Sequence, residues 1–261
     1  MYEFTSNIRY SECAPDARLS LAGLVNYFQD CAVFHAIDVN RGPDTWKNEH
    51  YGWIITSWQI VVNEYPMVGE EVTTATWAYK FKGFEANRNL TMRDKDGKLL
   101  AYANSSWAYF DTAALRPLRV PSYEMDAYGL DPELPMENKA PRRIRIPAEN
   151  YRTKPEIRIR VENLDSNGHV NNEQYIALMI GCLPAGLKVE ELRVQYISQA
   201  RLGDTLVPKV WHEGNEYIVW LELDGKSCCT SYFRIKEGEV LVPIAPGIDL
   251  GTPGTKTKED M

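Results

Sequence analysis

The chain has 261 residues, 44% of them hydrophobic and 25% charged, with a formal net charge of -7, which describes a globular protein with ample core. No run approaches the ~18 apolar residues of a membrane span, and the negative balance argues against general nucleic-acid binding. Five cysteines without CxxC spacing argue against a disulfide framework and against structural zinc, so no metal site is expected.

The opening MYEFTSNIRYSE lacks a basic start and an apolar stretch, so a cytoplasmic location is expected. Leu21, Leu24, Val25, Phe28, Cys31 and Ala32 recur at helical spacing and predict a first helix over about 19–36. Alternating strands follow. Gly69 opens GEEVTTATW, and an Asp96-Gly97-Lys98 turn leads into LLAYANSSWAYF, a hairpin signal. From 116 to 155 seven prolines predict an extended linker without regular helix. Lys139 to Arg160 holds eight Lys or Arg against Glu149 and Glu156, a local +6. That cluster is either a solvated linker and strand edge or a docking surface for an acidic partner.

Beyond the linker the first pattern repeats. Gly203 opens GDTLVPKVW, Trp211 follows at the spacing that separates Trp77 from Gly69, and Asp224-Gly225-Lys226 mirrors the earlier turn. Upstream, NIRYSECAPDARLSLAGLVNYF parallels EIRIRVENLDSNGHVNNEQYIAL, with Asp16 set against Asp165. A second helix over 172–183 is apolar most of the way round, so it should be wrapped by its own sheet. Four segments result: a first unit (1–115), the linker (116–155), a second unit (156–244) and a Gly/Pro-rich tail (245–261) expected to be disordered.

GxSxG, HExxH and GxGxxG are all absent, and GKS at 225–227 lacks the preceding glycine of a phosphate loop. His35, His50 and His212 stand alone among non-catalytic neighbours. His169 has company. A strand ending near Asn163, a turn over 165–168 and a helix from about Asn171 would bunch Asp165, Asn167 and His169 at a helix N-terminus, where free N–H groups favour developing negative charge. Such a group could activate water and hold a polarised carbonyl; equally, Asp-Ser-Asn-Gly followed by Asn is a good turn and cap.

The stretch DSNGHVNNEQY resembles the Asp-x-Asn-x-His-Val-Asn-Asn-x-x-Tyr signature of the acyl-acyl carrier protein thioesterases. SLAGLVNYFQDCAVFHA, WIITSWQIVVNEYPMVGEEVTTATW and RVQYISQARLGDTL are similar to other parts of that family, to about residue 240. The resemblance implies an α+β double hotdog, two sheet-wrapped-helix units in one chain, in agreement with the duplication. It also implies hydrolysis of fatty acyl thioesters on acidic acyl carrier protein, without cofactor, with Asp165, Asn167 and His169 in the active site. The first repeat, aligned on Asp16, offers Arg18 and Ser20 at the other two places, so one active site is expected. The first unit would house the acyl chain, with Trp58, Trp77 and Trp107 as lining candidates, and Arg142, Arg143, Arg145 and Arg158 would meet the carrier.

The family's glutamate after the next strand is Gln199 here, followed by Ala200. Glutamine can orient water but cannot accept its proton, and alanine excludes a thiol nucleophile. The base then falls to Asp165 or His169, with Asp165 polarising His169 or acting on water directly, Asn167 positioning water or thioester, and N–H groups of His169 to Asn171 meeting the oxyanion. The alternatives are the same chemistry on acyl-coenzyme A, or an acyl-binding protein without turnover; a homodimer is compatible with either.

Overall fold

Alternation of apolar and polar residues produces long antiparallel strands, and two helical stripes supply what they wrap. The computed structural model describes residues 1–240; the expected disordered tail, 245–261, lies outside the described residues. In chain order the first unit contains β1 (Tyr2–Asn7), α1 (Leu21–Asp38), α2 (Pro43–Glu49), β2 (Tyr51–Val62), β3 (Glu71–Lys82), β4 (Glu85–Asp94) and β5 (Leu99–Asp111). Next come β6 (Arg116–Pro117), α3 (Ser122–Tyr128), β7 (Arg152–Thr153) and β8 (Ile157–Arg158). The second unit continues with α4 (Asn172–Ile180), β9 (Leu187–Tyr196), β10 (Thr205–Glu213), β11 (Glu216–Leu223) and β12 (Lys226–Val240).

The two units share one sheet. Its order, β1-β3-β4-β5-β2-β9-β12-β11-β10-β7, makes β2 and β9 the seam, paired antiparallel from Ser57↔Gln195 to Val61↔Glu191. One hydrophobic core runs through the seam, joining Phe28, Ile60 and Leu90 of the first unit to Ile176, Met179, Leu192 and Phe233 of the second. The α1 stripe of Leu24, Val25, Phe28, Cys31 and Ala32 is buried against the sheet as its spacing predicts. The second helix ends at Ile180, earlier than the predicted 183, and buries Glu173, Tyr175, Ile176 and Met179. Asp224-Gly225 closes its hairpin with both residues at positive φ, the geometry a two-residue turn needs to match strand twist.

The Pro-rich segment is extended for most of its length but is not helix-free. Helix α3 fits between Pro121 and Pro132, with Pro121 as its N-cap, where a missing N–H costs nothing. The rest is a strap over the face of the sheet opposite the helices. Trp77 Nε1 donates to Pro132 O (2.8 Å), and Asn89 Oδ1 accepts from Leu134 N (2.8 Å). Gln59 Nε2 donates to Asn138 O (2.7 Å), Arg193 donates to Pro141 O, and Gln195 Oε1 accepts from Ile144 N (3.3 Å). The strap then ends at the far edge, where β7 pairs with β10.

Candidate active site

The turn before α4 is built by one carboxylate. Asp165 Oδ1 accepts from the N–H groups of Asn167 (2.8 Å) and His169 (3.2 Å), and Oδ2 accepts from Asn167 Nδ2 (3.4 Å). The backbone closes the same loop, Asp165 N donating to His169 O (2.8 Å) and Gly168 N to Asp165 O (3.1 Å). Asp165 therefore orients the loop backbone, and its hydrogen bonds go there rather than to the imidazole. Gly168 sits at φ 76° with open space about its Cα, so the cost of a side chain there is backbone strain alone. Gly168→Ala is expected to destabilise by about 1 kcal/mol, read from denaturant midpoints.

The loop is pinned on both flanks. Asn171 caps α4, its Oδ1 accepting from Glu173 N (3.1 Å) and from Gln29 Nε2 of α1 (3.2 Å), a direct tie between the units. His169 forms a bridge with Arg201, and Val170 N donates to Ala200 O (3.1 Å), which brings the 197–201 segment and Gln199 alongside the loop. Tyr175 Oη on α4 accepts from Ala200 N (2.6 Å), and Tyr196 Oη donates to Asn172 O (2.9 Å). Asp165 and His169 are half-buried, whereas Asn167 and Gln199 are exposed. The expected oxyanion donors are otherwise employed: His169 N–H serves Asp165, Val170 N–H serves Ala200 and Asn171 N–H serves Asn163. Among the described residues, the N–H groups of Asn172 and Gln174 in the first turn of α4 stand outside these bonds.

Tyr175 and Gln29 act here through 25 and 142 residues of sequence separation, so no local motif marks them. Glu173, two residues past the cap, is also buried, its carboxyl pushed upward by burial and eased by the Gln174 amide.

The first unit has the same turn, two residues out of step with the alignment on aspartates. Ala14 N donates to Arg18 O, Ala17 N to Ala14 O and Ser20 N to Glu12 O, matching Asp165 to His169, Gly168 to Asp165 and Asn171 to Asn163. Ala17, like Gly168, has positive φ, and Ser20 is the N-cap of α1 as Asn171 is of α4. The true counterparts of Asp165, Asn167 and His169 are therefore Ala14, Asp16 and Arg18; Ser20 answers to Asn171. Those side chains are committed elsewhere: Asp16 to Lys188 (3.7 Å), Arg18 to Tyr65 O (2.5 Å) and Glu64 (3.9 Å).

Between α1 and the sheet of the first unit lies a cavity of about 30 Å³, its wall including Ala32, Ala36, Trp53, Arg88 and Trp107. Trp58, 3% exposed, stacks on Phe28 and meets Trp107 edge-on, which places it directly behind the cavity wall at Trp107. Trp77 does not line it. Its strand position points to the opposite face, where it holds the strap at Pro132. Arg143, Arg145, Ile144, Ile146 and Ile197 line a groove on the outer face, two residues from Gln199. Arg142 is paired with Glu85 (2.6 Å), and Arg158 lies exposed on β8. No helix among the described residues is long and apolar enough to cross a membrane.

Residues 1–128 match the acyl-ACP thioesterase N-terminal domain and residues 147–229 its C-terminal domain. A chloroplastic palmitoyl-acyl carrier protein thioesterase of Arabidopsis thaliana is 26% identical over 207 residues, 73% of this chain and 50% of its own length. The chloroplastic dodecanoyl-[acyl-carrier-protein] hydrolase of Cinnamomum camphora is 23% identical over 200 residues, 70% of this chain and 51% of its own. The chain thus spans about half the length of the curated relatives it matches. The crystal structure of an acyl-ACP thioesterase from Bacteroides thetaiotaomicron superposes with a TM-score of 0.81 at 24% identity, covering 90% of this chain and 97% of that one. That of an oleoyl thioesterase (putative) from Lactobacillus plantarum gives 0.80 at 22%, covering 92% and 96%. These likenesses establish the hotdog fold, here two units in one continuous sheet.

Proposed function

The chain belongs to the acyl-ACP thioesterase family, and we propose that it hydrolyses a fatty acyl thioester borne by acyl carrier protein, releasing the fatty acid and the carrier thiol. The observation that carries the reading is the turn at the N-terminus of α4, which brings His169, Asn167 and the Gln199 segment together at one helix end.

His169 takes a proton from water as the water oxygen attacks the thioester carbonyl carbon. The carbonyl oxygen becomes an oxyanion facing the first turn of α4, where the Asn172 and Gln174 N–H groups and the helix dipole favour negative charge. Collapse breaks the C–S bond, and the imidazolium returns its proton to the departing thiolate. Asn167 and Gln199, both exposed, hold the water and the carbonyl by their amides. Asp165 serves by fixing the loop. The alkyl chain enters the first unit past Trp58 and Trp107. The cavity of about 30 Å³ holds far less than an alkyl chain, so substrate entry requires these rings to move.

The groove of Arg143 and Arg145 suits an acidic carrier, and Ile197 joins that groove to the Gln199 segment. Thiol release from a chain-length series of acyl-carrier and acyl-coenzyme A thioesters tests the reading; silence on all of them defeats it. The double replacement Arg143→Glu and Arg145→Glu is expected to raise KM for the carrier substrate about tenfold at low salt, with kcat and turnover of a small acyl thioester unmoved. Equal effects on carrier and small thioesters would remove the groove from carrier recognition.

A further inference from the structure

On the helix-facing side of the sheet, Val194, Trp58, Ser105, Arg88 and Ala78 form one row of register partners from the second unit into the first. With strands ~4.8 Å apart, Arg88 lies about 14 Å from the seam strand β9, at the depth of an acyl chain's remote portion. Arg88 is 7% exposed and forms part of the cavity wall. Its Nη2 meets His35 Nδ1, its guanidinium lies over the Tyr128 ring (5.3 Å to the centroid), and its Nε has no acceptor among the described residues.

Among the described residues no carboxylate pairs with this cation. Glu124, beneath Tyr128, is engaged by Trp53 Nε1 (3.1 Å) and Arg41 (3.5 Å), and Asp131 is engaged by the N-terminal amine (3.0 Å). His35, 2% exposed, is held neutral by burial and by the guanidinium itself, so it accepts a hydrogen bond without supplying charge. A lone buried charge is costly, and an aliphatic terminus laid against it gains nothing; a carboxylate or hydroxyl oxygen there gains a charge-assisted hydrogen bond. An otherwise apolar wall with one cationic donor, whose Nη2 meets His35 while its Nε lacks an acceptor among the described residues, is the pattern of a site that orients a ligand by a single polar feature.

We infer that the acyl chamber recognises an oxygen function on the remote part of the acyl chain, with Arg88 as its reader, so that the preferred substrates are acyl groups ending in a carboxylate or hydroxyl. This rests on the thioesterase reading and specifies its substrate class. Trp58 and Trp107 confine the methylenes between the thioester and Arg88.

The test uses the full chain and acyl-carrier thioesters matched in length but ending in methyl, hydroxyl or carboxylate, from short to long. The wild type is expected to favour an oxygenated end by at least ~10-fold in kcat/KM at the best length, and Arg88→Met to abolish or invert that ratio. Arg88→Lys, which keeps charge without the planar fork, should retain part of it. Calorimetric titration with matched mono- and dicarboxylic acids reads the site without turnover: the diacid should bind the wild type more tightly and lose that advantage in Arg88→Met. Preference for the methyl end at every length, with Arg88→Met leaving the ratio unchanged, would overturn the inference while leaving the thioesterase reading intact. Lack of thiol release from every thioester would defeat that reading, and the titration would still decide whether Arg88 reads oxygen.

Discussion

His169→Ala is expected to lower kcat on acyl-carrier thioesters about 10³-fold while leaving the fold in place. The separation of chemistry from structure follows from how the residue is held. Its N–H bonds Asp165, its carbonyl receives the Asp165 N–H, and its bridge to Arg201 is made by main chain. All of these survive alanine, so only the imidazole is lost. Asp165→Ala is the contrasting case, because it removes the acceptor for two N–H groups and so loosens the loop itself. Steady-state kcat beside a thermal melt distinguishes the two. Were His169→Ala to retain kcat within a few-fold, the proton acceptor would have to be sought elsewhere, and Gln199→Glu in the same series would report whether a carboxylate at that position takes over.

Acid should weaken the fold through a different histidine. His35 is buried, and burial first, then Arg88 and the N-terminal amine, bring its pKa down to about 3, with Asp131 opposing. The unfolded chain binds that proton below ~6.5, whereas the folded chain declines it until about 3. The stability contributed by neutral His35 is therefore fully present above pH ~6.5 and is lost progressively as pH falls toward the folded value. Between pH 7 and pH 5 the loss should reach about 2 kcal/mol. Urea midpoints at the two pH values check it, with His35→Asn as reference: an amide oxygen can still accept from Arg88 but cannot titrate, so the wild-type slope should exceed the variant's by that amount. Equal slopes would mean that the His35 pocket opens to water in solution.

How much of this was legible in advance depends on the range over which each feature is written. The duplication shows in Gly69 and Gly203, each eight residues before a tryptophan, because hairpin spacing is a local property. The helices are equally local, and α1 buries the stripe its spacing predicts. The Asp165 turn was readable as a turn and a cap. Its hydrogen bonding was not, since composition cannot say whether a carboxylate faces a ring or a backbone. Aligning Asp16 with Asp165 misled because identical side chains were matched where the backbone bridges, Cys13↔Leu19 and Leu164↔Val170, set the correspondence. The strap is illegible by nature: extended Pro-rich chain carries no periodicity to reveal which face of a sheet receives it. Arg88 and His35 are 53 residues apart, and only the packing of α1 against the sheet brings them together.

The strap across the outer face and the shared seam have an evolutionary consequence. Two identical subunits joined at a β2–β9 type of edge would be bound by symmetry: every substitution would fall on both turns and both chambers at once. Covalent connection removes that bond, and it also holds the halves at the high effective concentration of a tethered pair, so the seam need not be strong enough to assemble free chains. Each half could then drift alone. The side chains of one turn sit in ion pairs among Asp16, Lys188, Arg18 and Glu64, while the other turn carries the imidazole of His169. In the proposed reading, chamber shape and proton transfer thereby fall on separate stretches of the same chain.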